Sequence, residues 1–359
     1  MEEANRTEAL NVSNIITAVG YPRLIICSFL LFLLISAALL GLPLGQLVSS
    51  ILVRLGMNGI LVLAMIPSIQ SGIGPNFGLS LGVVCGLVAA TLSIELDMVG
   101  LSAFAFSIIV AAILGSIVGY FYGLLLNRVK GQEMTVGTYT GFSVVSFMCI
   151  FWILAPYKSP EMIWPYGGDG LRVTITLQDR FDKVLNNLFA FKLFNVEIPT
   201  GLLLFFALFC FMVWLFMRTK TGLAMLAAGS NPRFAEASGI NVNSCRIIGI
   251  VISTALGAIG IVVYAQSYGF IQLYTAPLFM PFFAVASILI GGASIKKATI
   301  THAVIGTFLF QALLVVALPV ANEVVANNLS EVVRIIISNG MILYALTRKE
   351  AGGDEVEAG

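Results

Sequence analysis

The sequence predicts an all-α membrane protein with about ten transmembrane helices, both termini in the cytoplasm and a short helix at the cytoplasmic surface. The 359 residues are 58% hydrophobic and only 10% charged, and their mean hydropathy is +0.99. Soluble domains carry roughly 25% charged residues, so this composition indicates a chain that passes repeatedly through a membrane. Apolar segments follow one another along most of the chain, and each suffices for one or two crossings of about 20 residues.

The overall charge and the cysteines argue against several other classes of protein. A formal net charge of +1 disfavours a nucleic-acid partner, for which a strongly basic face is expected. The five cysteines are scattered and none forms a C-x-x-C pair, so we expect no metal site, no cofactor and no disulfide framework. Nothing before Arg23 resembles a small-residue cleavage site, and the first apolar segment is therefore predicted to be a retained helix.

Charged residues bound the apolar segments and divide them into ten predicted spans. In chain order these are one span between Arg23 and Arg54, two between Arg54 and Glu95, one in each of the segments 97–128, 133–158 and 197–218, two between Arg246 and Lys296, one between Lys297 and Glu323, and one from about Glu331 to Leu346. Glycine and proline mark interruptions of the long segments at 41–43, at 71–76 and near 268–277. An even number of spans places both termini on one side of the membrane.

The distribution of lysine and arginine predicts which side that is. With the termini in the cytoplasm, only Arg54 and Arg334 fall in short external loops, as the positive-inside rule requires. The basic residues then inside are Arg6, Arg23, Arg128, Lys130, Arg218, Lys220, Arg233, Arg246, Lys296, Lys297, Arg348 and Lys349. The chain divides into a cytoplasmic segment 1–23, a membrane domain 24–347 with an external loop 156–199 and a cytoplasmic loop 218–246, and a cytoplasmic tail 348–359.

The cytoplasmic loop carries clear signals for a short helix. Asn231 is a typical N-cap and Pro232 occupies the first helical position, where its missing N–H costs nothing. The helix is predicted to continue through Phe234 and Glu236 and to end at Gly239, which can adopt the left-handed conformation of a C′ residue. About two turns are too few for an isolated helix in water, so we expect this helix to dock onto a partner.

Motifs for enzymatic chemistry are missing from the sequence. There is no phosphate-binding loop; the nearest segment, 291–297, lacks the second glycine, and H-E-x-x-H does not occur. The single histidine, His302, is more typical of a structural residue than of a proton relay. Few ionisable residues lie deep in the spans, so the chain has few groups that could couple transport to a proton or sodium gradient. The chain is therefore predicted to pass a solute with energy supplied elsewhere.

The cytoplasmic loop resembles that of a known family of transporters. Residues 227–242, AAGSNPRFAEASGINV, resemble the loop of permease subunits of ribose-type ABC importers, a family that also contains branched-chain amino-acid permeases. Residues 218–222 match the R-T-x-x-G turn that precedes this loop. Weaker matches follow the same order: 58–65 resembles an early N-G-I-L-A-L-G-M helix, and 284–294 a late A-x-V-I-G-G-x-S segment. The resemblance covers roughly residues 45–347.

This resemblance implies a complex in the plasma membrane of a prokaryote. It implies two permease subunits, identical or different, two cytoplasmic ATPase subunits and an extracytoplasmic binding protein that delivers the solute. The short helix is then the element that couples the permease to the ATPase. The coupling residues implied are Asn231, Pro232, Arg233, Phe234, Glu236, Ser238 and Gly239. Apart from these proteins, only membrane lipid is expected as a partner.

The sequence departs from the family pattern at the first long interruption. Many sugar permeases read T-G-G-I-D-L-S-V-G there, whereas residues 71–78 read SGIGPNFG and lack the acidic residue. The F-N-I-G-x-E-G-Q segment typical of the nucleoside branch is absent, which favours a simple sugar as the solute. Nucleosides and branched-chain amino acids remain alternatives.

Polar residues near the predicted interruptions are the candidates for lining a pathway. Irregular backbone at membrane depth is tolerated only where protein or a water-filled cavity surrounds it, so Asn76 and Phe77 are the first candidates. The others are Asn58, Gln70, Gln311 and Asn339. For these, hydrogen bonding between helices is an equally good interpretation.

Another class of transporter also fits the helix count. A stand-alone secondary carrier or channel is expected to show broken segments in two halves, and the interruptions at 72–75 and 269–277 give this alternative weak support. A requirement for ATP or for an ion gradient separates the two hypotheses. A membrane enzyme fits least, because no set of catalytic residues converges.

Overall fold

The structure is a computed structural model, and it describes residues 21–163, 170–194, 196–274, 276–324 and 330–347. The predicted cytoplasmic tail 348–359 and most of the N-terminal segment lie outside the described residues. The elements, in chain order, are α1 Tyr21–Leu39, α2 Leu44–Leu63, α3 Met65–Gln70, a 3₁₀ turn Phe77–Leu79, α4 Ser80–Glu95, α5 Gly100–Arg128, α6 Glu133–Leu154, β1 Thr174–Thr176, α7 Val184–Asn187, β2 Phe191–Leu193, β3 Val196–Ile198, α8 Thr200–Met217, α9 Lys220–Ser230, α10 Pro232–Ala237, α11 Val242–Tyr268, β4 Phe270–Gln272, α12 Ala276–Ile290, α13 Ile300–Val324 and α14 Ser330–Thr347.

The predicted all-α membrane fold is confirmed. In the described part of the chain, seven helical segments are long and apolar enough to cross a membrane: Leu44–Gln70, Phe77–Glu95, Gly100–Arg128, Glu133–Leu154, Thr200–Met217, Val242–Tyr268 and Ile300–Glu323. Two shorter apolar helices, Arg23–Leu39 and Ala276–Ile290, and the helix α14 occupy the places of the other three predicted spans. The exact number of crossings and the side on which the termini lie remain predictions.

The boundary predicted at Arg54 is wrong. Arg54 lies in the middle of α2, where it is half-buried, and the chain turns instead at residues 40–43. Gly41 has a φ of +70° there, and Pro43 directly precedes α2. Arginine has a high helix propensity, so one charge does not end a helix, whereas a left-handed glycine followed by proline does.

Helix α11 is the centre of the bundle and packs closely against α4 and α5 through glycine. Gly115, Gly119 and Gly123 recur every fourth residue on α5 and face α11. A Cβ atom at Gly119 would lie 3.0 Å from the Cα of Val251 and from the Cβ of Thr254. Small residues at this spacing let membrane helices approach closely, so the backbone contact replaces the hydrophobic driving force that is absent in lipid.

The substitution Gly119→Ala tests this packing. The added methyl group meets the backbone of α11, so we expect it to destabilise the folded protein by about 1–3 kcal/mol through overpacking. Gly340→Ala is the matched control, because that glycine also lies inside a helix and has nothing within 4 Å of a built Cβ. Unfolding in mixed micelles measures both; an equal stability of the two variants would contradict the close α5–α11 contact.

The predicted external loop is packed rather than merely solvated. Its strand β1 pairs antiparallel with β4, with Ile175 opposite Ile271, and β2 and β3 form a hairpin. Arg180 donates hydrogen bonds to Glu161 and Asp97, and these bonds raise the pKa of Arg180 further above its usual value. The side chain is therefore permanently charged and holds the loop against the end of α4.

The loop and the two strands define one end of the bundle, which we call the outer end. The opposite end carries α9, α10 and the interruption 71–76, and we call it the inner end. The predicted cytoplasmic loop 218–246 falls at the inner end, and the described part of the predicted external loop 156–199 falls at the outer end.

Candidate functional site

The predicted short helix at the inner end is confirmed with both of its caps. The side chain of Asn231 accepts a hydrogen bond from the amide of Phe234 at 3.1 Å, and Pro232 is the first residue of α10. At the other end Gly239 has a φ of +80°. The amide of Gly239 donates to the Glu236 carbonyl and the amide of Ile240 to the Ala235 carbonyl. These two bonds form a Schellman motif, with Ser238 as the C-cap.

A second helix, α9, precedes α10 and was not predicted from the sequence. Thr219 is its N-cap, and the Thr219 hydroxyl accepts a hydrogen bond from the amide of Gly222 at 3.2 Å. The signal was present, because a threonine precedes an alanine-rich segment of high helix propensity. The site is therefore a pair of short helices rather than one helix in a connector.

One face of this helix pair is anchored to the bundle. Ala235 of α10 is fully buried in a small cluster that also contains residues of α9 and of the first turn of α11. The buried members of the cluster are Met225, Ala228, Ala235, Val242 and Cys245. The cluster therefore joins α10 directly to the start of α11.

Both helices of the pair also expose apolar side chains. Phe234 is 65% exposed, and Leu223 and Leu226 of α9 are 56% and 46% exposed. The exposed side chains of Arg233 and Glu236 flank Phe234. An exposed aromatic residue with charged neighbours is typical of a protein interface.

Backbone contact joins the helix pair to the interruption between α3 and α4. Gly72 has a φ of +79°, and a Cβ built on it would lie 2.9 Å from the Cα of Gly229. The Gln70 side chain fastens the same segment to a neighbouring loop, because its Nε2 donates to the Ala298 carbonyl at 2.6 Å. The interruption is thus held between α9 and the loop before α13.

Two of the predicted pathway residues, Asn76 and Phe77, lie together where the interruption meets α4. Asn76 is buried, and its Nδ2 donates to the Ser253 hydroxyl of α11 at 2.9 Å. The ring of Phe77 lies 5.8 Å from that of Phe282, which in turn lies 6.2 Å from that of Phe142. Three aromatic rings from α6, α12 and the 3₁₀ turn therefore meet beside a buried amide.

The remaining candidates lie on other helices. Asn58 donates to the Arg54 carbonyl of its own helix at 3.0 Å. Gln311 is buried in α13, whereas Asn339 is exposed on α14. Among the described residues, no hydrogen bond joins any of these three to the interruption.

A polar stripe on α6 was missed by the sequence analysis. Thr135, Tyr139, Ser143 and Ser146 are exposed and follow one another at helical spacing. The corresponding exposed face of α8 is wholly apolar, with Leu204, Leu208, Phe211 and Leu215. Only 22% of the α6 span is buried. Ser146 donates its hydroxyl to the carbonyl of Phe142 in its own helix at 2.9 Å, and the spacing of four, four and three residues was the available signal for the stripe.

Comparison with known proteins identifies the family. Residues 47–344 match the family described as the permease component of the branched-chain amino acid transport system. The chain belongs to this family. The family contains permeases of ABC importers, which are transport components, and the resemblance seen in the sequence is confirmed at this level. With its candidate spans, this permease is a multi-pass membrane protein.

Two of the curated relatives illustrate the range of solutes within the family. The permease is 27% identical over 255 residues to the autoinducer 2 import system permease protein LsrC of Yersinia pestis. The aligned residues make up 70% of this chain and 64% of LsrC. It is 35% identical over 133 residues to the tyrosine transport system permease protein of Clostridioides difficile. This alignment covers 34% of this chain and 44% of the relative. The matches thus span about half to two thirds of these relatives. No solved structure matches the chain.

Proposed function

We propose that this permease forms the translocation pathway of an ATP-driven importer and that α9 and α10 couple it to a separate ATPase. The observation that carries the proposal is the doubly capped helix α10, which presents Phe234 to a partner while Ala235 anchors it to α11. A helix of two turns transmits force only when it is packed on both sides. The side of α10 that carries Ala235 packs against the bundle. The side that carries Phe234 is therefore the docking surface for the cytoplasmic ATPase.

The proposed pathway runs along the exposed polar stripe of α6. Thr135, Tyr139, Ser143 and Ser146 expose polar side chains along α6, and a water-filled path would solvate this stripe. The ring of Phe142, which is exposed on α6 next to the stripe, contacts the ring of Phe282 on α12, and Phe282 contacts the ring of Phe77. A second permease subunit, identical or related, completes the path by covering the stripe from the other side.

A simple sugar fits this surface best. Sugars offer hydroxyl groups for hydrogen bonds and C–H faces that pack on aromatic rings, which matches the hydroxyl stripe and the nearby rings. An amino acid would carry two charges, and the stripe contains no charged side chain. Because one relative is a tyrosine transport system permease, an amino acid is the second candidate for the transported solute.

The extracytoplasmic partner is proposed to be a binding protein that docks on the outer end. Three charged residues of the loop 156–199 lie at this end: Arg180, which is already paired with Asp97 and Glu161, and the neighbours Asp182 and Lys183. We propose that the complex lies in the plasma membrane of a prokaryote, with α9 and α10 on the cytoplasmic side.

Reconstitution of the natively purified complex in vesicles tests the function. We expect ATPase subunits and a second permease chain to copurify, and uptake to require ATP inside the cytoplasmic compartment. Competition among labelled ribose, leucine and tyrosine separates a sugar from an amino acid as the solute. Uptake driven by an ion gradient in the absence of nucleotide would instead support a secondary carrier.

Cysteine labelling tests the proposed pathway face. A water-soluble methanethiosulfonate should react with Ser146→Cys about tenfold or more faster than with Leu208→Cys, because a thiol reacts as its thiolate, which apolar surroundings suppress. Both positions are exposed on membrane helices, on α6 and α8 respectively, and the unsubstituted chain corrects for the native thiols. Equal protection of the two positions would place the polar stripe in lipid or in a closed interface.

A further inference from the structure

Arg246 is a buried arginine near the start of α11 that binds three other elements of the inner end. Its Nε donates to the side-chain oxygen of Asn127 on α5 at 2.9 Å, and its Nη2 donates to Glu133, the first residue of α6. Its Nη1 reaches the carbonyl of Gly72 in the interruption at 3.4 Å. The residue is only 7% exposed.

The two side-chain partners of Arg246 are themselves held in place. The second carboxylate oxygen of Glu133 accepts a hydrogen bond from the amide of Gly131 at 2.8 Å. The Nδ2 of Asn127 donates to the carbonyl of Asn243 at 2.9 Å, in the first turn of α11. The network is therefore closed, and each side chain in it has its position set by at least two bonds.

The network adjoins the cluster that anchors α10. Val242 packs in that cluster with Ala235, and Arg246 follows Val242 by four residues, so both project from the same face of α11. A rigid helical turn thus connects the buried side of α10 to Arg246.

A buried ion pair of this kind sets geometry more than it adds stability. The desolvation of the two charges offsets most of their attraction, whereas the planar guanidinium binds several acceptors in fixed directions. The α6 helix has the smallest buried share of the candidate spans, 22%. Because so little of it packs against the bundle, the bond at Glu133 is a main determinant of where α6 lies.

We propose that Arg246 and Glu133 form the mechanical link that carries the movement of α10 to α6 and to the interruption at Gly72. Arg246 is a positioning residue: it touches neither the solute nor the ATPase, and it acts through Glu133 on the helix that bears the polar stripe. This inference rests on the proposed coupling function, and it adds the route by which the coupling reaches the pathway.

The double variant Arg246→Met/Glu133→Gln tests the link in the full complex. Removing both charges avoids the isolated buried charge that a single removal would leave, so we expect assembly and ATP hydrolysis to be retained. The readout is the rate at which an impermeant maleimide labels Thr135→Cys, near the start of α6, in inside-out vesicles with and without ATP and vanadate. In the parent complex, nucleotide should change this rate about fivefold or more, and the double variant should lose the change.

The matched control is Lys130→Met, which removes an exposed charge in the same turn between α5 and α6 and should retain the full nucleotide response. If the double variant does not assemble, Arg246→Met/Glu133→Met decides, because it also removes both charges and fills their space with apolar side chains. A full nucleotide response in the variant that assembles overturns the link, as does a parent complex in which nucleotide never alters labelling. Failure of an ATPase to copurify contradicts instead the proposed function.

Discussion

Replacing Gly229 with valine is expected to abolish ATP-driven uptake, because the new side chain would force α9 away from the interruption. A Cβ atom at this position would lie 2.8 Å from the amide nitrogen of Gly72 and would overlap the carbonyl oxygen of Gln70. Both obstacles are backbone atoms and cannot rotate away. Overpacking of this kind costs about 3 kcal/mol, enough to favour a displaced α9 over the native arrangement.

Measurement of uptake and of membrane insertion in parallel checks this expectation. Gly340→Val is the control for introducing a valine into a helix, since nothing lies within 4 Å of a built Cβ at that glycine. We expect both variants to insert in the membrane at parental levels and only Gly229→Val to lose uptake. Parental uptake by Gly229→Val would show that the contact between Gly72 and Gly229 is dispensable.

The features that were predicted correctly from the sequence depend on residues that lie close together along the chain. The caps of α10 follow from Asn231, Pro232 and Gly239 alone, because each acts within one helical turn. The apolar spans are likewise a local property of length and composition. The prediction at Arg54 failed because charge was used as a helix boundary, although Gly41 and Pro43 carried the stronger local signal.

The features that could not be predicted depend on contacts between distant segments. Nothing near Gly72 in the sequence indicates that Gly229 lies against it, and a glycine gives the same signal in a turn as in a close approach. The network of Arg246 likewise joins residues more than a hundred positions apart. The stripe on α6 was readable by its period, but serine and threonine within an apolar span are equally compatible with bonding to their own helix.

The substitution Phe234→Asp is expected to separate the permease from its ATPase without disturbing the fold. The side chain is 65% exposed and points away from the buried cluster that contains the adjacent Ala235, so its loss costs the isolated permease little. At the proposed interface, truncation of a central aromatic residue typically costs about 2–4 kcal/mol, which weakens binding about 30- to 1000-fold. An added carboxylate in an apolar pocket increases this penalty.

Copurification of the ATPase with the permease variants measures the effect directly. Phe194→Asp is the matched control, because Phe194 is 93% exposed at the outer end and its substitution should leave ATPase binding unchanged. Ala235→Asp is the structural comparison, since a carboxylate at that fully buried position should disrupt the cluster with Val242 and lower the stability of the permease itself. A Phe234→Asp permease that retains its ATPase with parental affinity would contradict the docking role of α10, because no other substitution on this helix removes so much exposed apolar surface while leaving its caps and its buried face intact.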